Sequence, residues 1–309
     1  MSSAAVRAFR GEAAVVLSAG DYRTVFLPDL GMLGASLTWR GAELISLHGG
    51  VDAYRRRSST GLPLLAPWAN RLSRTRFRVA SVDVDLNRQP IKRDPNGLPI
   101  HGTMSAQHGW EIKRLEPARL VTRFDYSTPE LLAAFPFSHE IQIESRLSAA
   151  GLRVTTIVTP TGKRRVPISF GWHPYFRAAG PRSRWTLDAP AREHLELDRK
   201  GIPNGRSAPE RAGRLAVGKV VLDDLYALGR DRRFTLSGGG CAVEVRFDAG
   251  YPYAQLFAPP GKPFVAIEPM TAPTNALVTG KCPIVKPGEH FAAAFSVSAA
   301  PRCDALRRD

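Results

Sequence analysis

Four short segments of the sequence combine apolar neighbours with side chains that can move protons or hold hydroxyl oxygens. In the last of them, Glu268 ends an apolar run, where a carboxylate is costly to bury unless it is paired or used. In the third, His173 lies among Trp172, Tyr175 and Phe176, and histidine is the side chain best suited to proton transfer near neutral pH. The four segments are Pro67–Arg71, Ile100–Gly102, Gly171–Phe176 and Val265–Thr271.

Each segment also has an ordinary structural interpretation. Arg71 could present its fork of donors to ligand oxygens, or it could bond backbone carbonyls. His101 precedes a glycine, where backbone can approach a ligand closely, but it could also be a satisfied structural histidine, and His108 competes for its role. The aromatics around His173 suit the apolar faces of sugar rings or a plain core cluster. Glu268 could equally form a buried ion pair with an arginine.

The sequence contains no nucleotide-binding loop, zinc motif or Gly-x-Ser-x-Gly elbow. Its cysteines, Cys241, Cys282 and Cys303, are odd in number and widely spaced, which argues against a disulfide framework or a structural zinc site. The remaining Arg, His and Glu residues suffice for acid–base chemistry on a polyol. We therefore expect no metal and no cofactor.

The 43 Lys and Arg residues exceed the 28 Asp and Glu residues, giving a net charge of +15. The excess is spread over short clusters without interleaved aromatics, which is typical of a basic solvated surface rather than a nucleic-acid interface. The longest apolar stretch near the N-terminus, Ala13–Ala19, is too short for a secretory signal, and no run reaches the roughly 20 apolar residues that span a bilayer. We expect a soluble cytoplasmic protein with no nucleic-acid or membrane partner.

Period-two alternation is the dominant pattern along the chain. Val243, Val245 and Phe247 alternate with charged residues, and Ile141 and Ile143 alternate with Glu140, Gln142 and Glu144. Such alternation predicts antiparallel strands with one buried and one solvated face. Further alternation over Val82–Leu86 and β-branched residues over Arg153–Thr159 also predict strands.

Helical signals are sparse, and turn residues are spread throughout. Thr128 followed by Pro129 predicts one short helix with a capped start. We interpret Arg177–Lys219 as long loops across one sheet and expect the basic tail after Pro301 to be disordered. With no linker in view, residues 1–309 are expected to form one all-β domain, a large antiparallel β-sandwich.

The four segments, in this order, resemble the aldose 1-epimerase (galactose mutarotase-like) family. Nearly the whole chain takes part, and the motif His173-Pro174-Tyr175-Phe176 with a later strand glutamate is the most specific element. The resemblance implies the large antiparallel sandwich of that family, a small sugar as substrate, and a monomer or homodimer. The matching pieces are Ala69–Arg71, Asn96–Gly97, His101–Gly102, Trp110, His173–Phe176, Leu222–Tyr226 and Ile267–Pro273.

The resemblance also implies a role for each site residue. Glu268 would be the general base at the anomeric O1 hydroxyl, and His173 the general acid at the ring oxygen O5. Asp223 would bind substrate, although Asp224 could hold that role. The other substrate-binding residues implied are Arg71, His101, Asn70 and Tyr175.

Two other functions compete with a free-aldose mutarotase. An epimerase of an anionic sugar, such as a hexose 6-phosphate, would need a basic pocket, for which Arg74, Arg76 or Arg177 are candidates. Pro174 stands where relatives that act on hexose 6-phosphates usually have Thr, which favours neutral aldoses. A non-catalytic sugar-binding protein on the same fold is the third hypothesis. Retention of both Glu268 and the histidine counts against it, because a binder needs no acid–base pair.

Overall fold

The period-two segments form antiparallel strands in the computed structural model, which describes residues 2–302. Strands make up 53% of the structure and helices 7%, so the predicted all-β class is confirmed. The part of the expected disordered tail from residue 303 onward, with Cys303, lies outside the described residues.

Within residues 2–302, the strands in chain order are β1 Ser2–Phe9, β2 Glu12–Ala19, β3 Tyr22–Leu27, β4 Leu33–Trp39, β5 Ala42–Glu43, β6 Leu64–Leu65, β7 Arg76–Val79, β8 Val82–Asp85, β9 Glu111–Glu116, β10 Arg119–Tyr126, β11 His139–Ser148, β12 Gly151–Pro160, β13 Val166–Pro167, β14 Gly171–Trp172, β15 Tyr175–Phe176, β16 Thr186–Ala189, β17 Arg192–Leu197, β18 Pro203–Glu210, β19 Gly213–Ala216, β20 Leu222–Leu228, β21 Arg233–Gly238, β22 Cys241–Ala249, β23 Tyr253–Ala258, β24 Val265–Met270, β25 Ile284–Val285 and β26 Phe291–Pro301. The helices of the same range are α1 Gly50–Arg55, α2 Pro129–Ala134 and α3 Ala276–Thr279, with 3₁₀ turns at Pro28–Leu30 and Arg182–Arg184.

Three large antiparallel sheets contain 22 of these strands, while β7 pairs with β8 and β13 with β25 in two small sheets. The first joins β1 to β5 in chain order. The second has the order β19-β16-β21-β22-β26-β12-β11-β10-β9. The third has the order β18-β17-β20-β23-β24-β14-β6, with β15 paired to β24. The last of these sheets carries most of the residues discussed below.

The second and third sheets pack on each other across an apolar core. Trp172 of β14, in the third sheet, lies 5.9 Å from Phe295 of β26 between ring centroids. Its indole Nε1 donates to Thr156 Oγ1 of β12 at 3.0 Å, so the one polar atom of a fully buried side chain is satisfied. Two sheets with a shared apolar interior are a β-sandwich, as predicted.

The predicted alternation is confirmed in both strands where it is clearest. In β22, Val243, Val245 and Phe247 are buried while the residues between them are partly or fully exposed. In β11, Ile141 and Ile143 are buried in the same way. Each apolar face therefore turns toward the core, because successive side chains on a strand point to opposite sides.

The predicted short helix is α2. Its N-cap is Thr128, whose hydroxyl accepts from the Leu131 backbone N–H at 3.5 Å, and Pro129 occupies the first helical position. The helix ends at Ala134, after six residues. Among the residues that the structure describes, no helix is both long and apolar enough to cross a lipid bilayer.

The interpretation of Arg177–Lys219 as long loops is wrong, since this segment contributes β16 to β19. The cause is visible in β18, which is an edge strand of the third sheet with almost every residue exposed. It contains Pro203 and Pro209, which an edge strand tolerates because one row of its backbone groups faces solvent. A strand without a buried face shows no period-two apolar signal, so the sequence pattern could not reveal it.

Candidate active site

A cavity of about 410 Å³, here called the site cavity, opens on the third sheet beneath the loops that follow α1, β6 and β8. All seven residues predicted for catalysis or substrate binding line it, although they come from segments up to about 200 residues apart. Their individual roles stay predictions. The cavity is lined by Arg57, Ser58, Ser59, Asn70, Arg71, Lys92, Ile100, His101, His173, Tyr175, Asp223, Gln255, Phe257 and Glu268.

A buried carboxylate–histidine pair forms one wall of the site cavity. Glu268 lies on β24, a strand in which every residue is buried. His173 follows β14, the neighbouring strand, and its Nε2 lies 3.0 Å from Glu268 Oε1. Burial raises the pKa of the Glu268 carboxyl, and the contact with the histidine opposes that shift. A buried carboxylate is costly unless it has a hydrogen-bond partner, and the imidazole of His173 is that partner here.

Each member of the pair keeps one polar atom without a hydrogen-bond partner. Within residues 2–302, neither Glu268 Oε2 nor His173 Nδ1 has one, and both are buried. Buried polar atoms are almost always satisfied, so two unsatisfied atoms on adjacent groups are unusual. Both residues line the site cavity.

An aromatic stack fixes the orientation of the histidine ring. Tyr175 lies parallel to His173, with centroids 4.4 Å apart and planes inclined by 15°. Behind it, His48 and Phe264 meet the tyrosine edge-on at 4.6 Å and 4.8 Å. Burial raises the pKa of Tyr175, so its hydroxyl stays neutral 3.4 Å from the histidine Nε2. The predicted substrate-binding tyrosine therefore also holds the imidazole in place.

Arg71 is held from two sides by acceptors. Its Nε donates to Asp94 Oδ2 at 2.9 Å, and its Nη1 donates to Asn70 Oδ1 at 3.2 Å. Its Nη2 lies 3.7 Å from Asp223 Oδ2. Burial tends to raise the pKa of Asp94, but hydrogen bonds from the Leu98 backbone and from the guanidinium outweigh it and the pKa falls. The sequence analysis missed Asp94, because nothing in its local pattern shows that it will hold an arginine 23 residues away.

His101 and Asn70 are positioned by two loops that pair through their backbones. The Asn70 N–H donates to His101 Nδ1 at 3.3 Å, and the His101 N–H donates to the Asn70 carbonyl at 3.1 Å. Both residues have left-handed backbone, with φ of 57° and 64°. A Cβ on Gly102 would meet the Ala66 carbonyl oxygen at 2.0 Å, so the glycine permits close approach to backbone rather than to a ligand.

The histidine on this loop is a neutral hydrogen-bond donor. Burial, with the nearby positive charge of Lys92, lowers the pKa of His101 well below its ordinary value. Because its Nδ1 accepts a backbone N–H, its Nε2 carries the proton. His108, the competing candidate, is exposed and does not line the site cavity.

Asp223 and Asp224 point to opposite faces of β20. Asp223 lines the site cavity and accepts from Gln255 Nε2 at 2.7 Å. Asp224 instead lies 3.3 Å from the Nε2 of His194, away from the cavity. The alternation of a strand thus places only the first aspartate next to Arg71. Gln255, which the sequence analysis missed, sits opposite Glu268 in the register of β23 and β24.

The cations at the cavity differ from those predicted. Arg74, Arg76 and Arg177 are exposed and do not line it. Lys92 and Arg57 do, and neither has an ion-pair partner within residues 2–302. Burial lowers the pKa of Lys92. The sequence analysis did not assign these two residues to the site, because both lie in irregular loops whose path only the fold determines.

Comparisons with known proteins agree with this architecture. The structure is similar to a galactose mutarotase-like protein from Clostridium acetobutylicum, at 19% identity and a TM-score of 0.85, over 97% of this chain and 99% of that one. It is similar to a protein from Synechocystis sp. PCC 6803, at 23% identity and a TM-score of 0.79, over 98% of this chain and 100% of that one. A galactose mutarotase-like protein from Lactobacillus casei ATCC 334 shares 16% identity at a TM-score of 0.76, over 93% and 100% of the chains.

At these identities, the structural likeness shows the fold alone. A search of curated protein sequences found no match. The family assignment therefore rests on the sequence profile of the aldose 1-epimerases, which matches residues 13–298. That match covers most of the chain, and the chain belongs to the aldose 1-epimerase family.

Proposed function

We propose that the protein is a mutarotase, which interconverts the α and β anomers of a free aldohexose without a cofactor. The observation that carries the proposal is the buried contact of 3.0 Å between Glu268 and His173 at the wall of the site cavity. Opening a pyranose ring needs a base at O1 and an acid at O5 together. Two groups this close can serve the two oxygens, which are bonded to the same carbon.

The reaction starts with the carboxylate ionised and the imidazole protonated. Glu268 takes the proton from the O1 hydroxyl while His173 gives its proton to O5, and the C1–O5 bond breaks to leave the open aldehyde. Rotation about C1–C2 presents the other face of the carbonyl. The neutral histidine then removes the O5 proton, the ring closes, and the carboxylic acid returns its proton to O1. Protons and charges balance over the cycle.

Burial tunes the base for this exchange. Because burial raises the pKa of Glu268, the carboxylate binds a proton more readily than an exposed one would. A base whose pKa approaches the working pH is more effective in general catalysis. The opposing effect of the histidine keeps the ionised form available.

The remaining polar residues would bind and orient the sugar. Arg71 and neutral His101 offer donors to substrate oxygens, and Asp223 offers an acceptor to hydroxyls. Asp94 and Gln255 hold two of these groups in place. Pre-organised side chains lower the cost of ordering the ligand.

An anionic aldose is the second candidate substrate. It is favoured by Lys92 and Arg57, which line the site cavity without ion-pair partners in the described part of the chain. A non-catalytic sugar binder is less well supported. Arg71 and Asp223 could bind a sugar without the buried pair of Glu268 and His173, so a binder would not require that pair.

Polarimetry tests the proposal. Freshly dissolved α-D-glucose and α-D-galactose are followed with and without protein, and glucose 6-phosphate is followed in parallel by NMR exchange. Acceleration of a neutral sugar, lost in His173→Gln, supports the proposal, whereas acceleration of the phosphate alone supports the anionic substrate. His139→Gln is the matched control, since His139 is also buried but lies outside the site cavity. No acceleration of any sugar by the folded protein would favour a binder.

A further inference from the structure

A second cavity, of about 330 Å³, adjoins the site cavity. The two cavities share Arg57 and Lys92, which therefore form the wall between them. The rest of its lining comes from the loop after His101 and from helix α2. Both volumes fall in the range of ligand cavities, about 300–1,000 Å³, so each can hold one sugar ring.

The shared wall carries two cations. The buried Glu268 carboxylate acts on the charge of Lys92, and the exposed Glu130 also lines the second cavity, so Arg57 is the cation left for a ligand. In the described part of the chain, neither Arg57 nor Lys92 has a salt-bridge partner within 4 Å, whereas Arg55, which also lines the second cavity, is paired with Glu12 and Asp52. Cations that line a cavity without partners favour an anionic ligand, because its charge replaces the missing counterion.

The other side chains of the second cavity suit a sugar. Thr103 Oγ1 already lies 3.1 Å from Tyr126 Oη, and Gln107 Nε2 donates to the His108 carbonyl at 3.2 Å. The Gln107 amide oxygen and the Ser105 hydroxyl line the same cavity and can hydrogen-bond to sugar hydroxyls. Ile91 and Leu131 offer apolar surface to a ring face. The cavity therefore combines polar and apolar contacts next to a cationic wall.

We propose that this second cavity is a subsite for an acidic sugar unit. The preferred substrate is then a reducing disaccharide whose non-reducing unit carries a carboxylate or phosphate. Its reducing unit occupies the site cavity, and the charge lies against Arg57. This inference rests on the proposed mutarotase function and adds the class of substrate.

Substrate comparison is the first test. The kcat/KM for ring exchange is measured by NMR for glucose, cellobiose, glucuronosyl-β-1,4-glucose, and cellobiose phosphorylated on its non-reducing unit. We expect at least one acidic disaccharide to exceed cellobiose by about tenfold or more, the size of one charge-assisted hydrogen bond. The acidic disaccharide that shows the higher kcat/KM identifies the preferred anion, a carboxylate or a phosphate. Equal values for all the disaccharides would overturn the proposal. The proposal would also be overturned if glucose 6-phosphate exceeded glucose by the same factor, because that sugar leaves the second cavity empty.

Two variants locate the effect. Arg57→Gln is expected to lower the ratio of acidic to neutral disaccharide activity about tenfold. Arg56→Gln is the control, since Arg56 is exposed and lines neither cavity. Gln107→Trp, which fills the second cavity, is expected to lower disaccharide activity relative to glucose. An unchanged ratio in Arg57→Gln or Gln107→Trp would contradict the assignment.

Binding separates this inference from the proposed function. Calorimetric titration of the wild-type protein with the acidic disaccharides and with cellobiose needs no turnover. Tighter binding of an acidic disaccharide that weakens in Arg57→Gln supports the subsite even if no sugar is epimerised. Epimerisation of glucose with equal binding of all the disaccharides would leave the mutarotase function standing and overturn the subsite.

Discussion

The pair of ionisable side chains Glu268 and His173 in the site cavity is buried, whereas an ion pair on the outer face of the second sheet is accessible to solvent. On the outer face, Arg214 Nε lies 2.7 Å from Asp188 Oδ1, and the two side chains are 58% and 35% exposed. In the cavity, the side chains of Glu268 and His173 are 2% and 7% exposed. Exposed pairs are screened and contribute little, while buried charges cost several kcal/mol unless each is compensated. Burial of Glu268 and His173 costs stability, so their presence together in the site cavity indicates a chemical role for that cavity.

The backbone shows the same contrast. The second sheet is built from regular strands such as β11 and β22, whose residues alternate between core and solvent. The site loops instead contain Asn70 and His101 in left-handed conformation, which L residues rarely adopt. Such conformations persist only where the surrounding contacts require them, and here they aim side chains into the cavity.

The largest expected effect concerns the buried base. Glu268→Gln should keep the fold, because an amide can still hydrogen-bond the histidine, but it should lower kcat for mutarotation about 10²–10⁴-fold. Polarimetry measures the loss. Glu244→Gln, on the outer face of β22, should leave kcat unchanged. Wild-type turnover in a folded Glu268→Gln protein would show that another group is the base.

A buried histidine of the second sheet should make stability depend on pH. Burial lowers the pKa of His139 from 6.5 to about 4. Between these values the unfolded chain binds one proton more than the folded one, so the free energy of unfolding falls as pH drops from 6.5 to 4. The total loss is roughly 3 kcal/mol.

Urea unfolding across that pH window measures this dependence. His139→Gln should be less stable at pH 7 but show a flatter decline on acidification. Parallel curves for the two proteins would mean that His139 does not titrate as its burial implies.

The two adjacent aspartates of β20 provide an intermediate effect. Asp223→Asn should lower kcat/KM about tenfold, because it removes a charged acceptor beside Arg71 and Gln255. Asp224→Asn affects only the half-exposed contact with His194 and should change kcat/KM little. Equal losses would show that strand alternation does not separate their roles.

The smallest effect is expected on the exposed surface. Arg206 Nε lies 2.7 Å from Glu196 Oε2, with the two side chains 76% and 37% exposed. Arg206→Ala should change the free energy of unfolding by no more than about 0.5 kcal/mol. Thermal denaturation in low and high salt measures it. A larger, salt-sensitive loss would contradict the view that these outer pairs contribute little.

Sequence patterns predicted the parts of the fold in which one face is buried. The alternation of Val243 and Val245 identified β22, and the capping pair Thr128-Pro129 identified α2. They did not reveal β18, which buries almost nothing and so carries no apolar period. The site residues were found largely through motif resemblance, while Asp94 and Gln255 were missed because they act on other side chains.

The sequence by itself determined the all-β class, the strand faces and the set of residue types available for acid–base chemistry, because each follows from local periodicity or from a short motif. Only the tertiary structure decided that Asp223 rather than Asp224 lies in the cavity, that Lys92 and Arg57 replace the arginines predicted there, and that a second cavity adjoins the first. These outcomes depend on how loops far apart in sequence cross each other. No local pattern encodes such crossings, since they result from contacts between segments that the chain brings together only on folding.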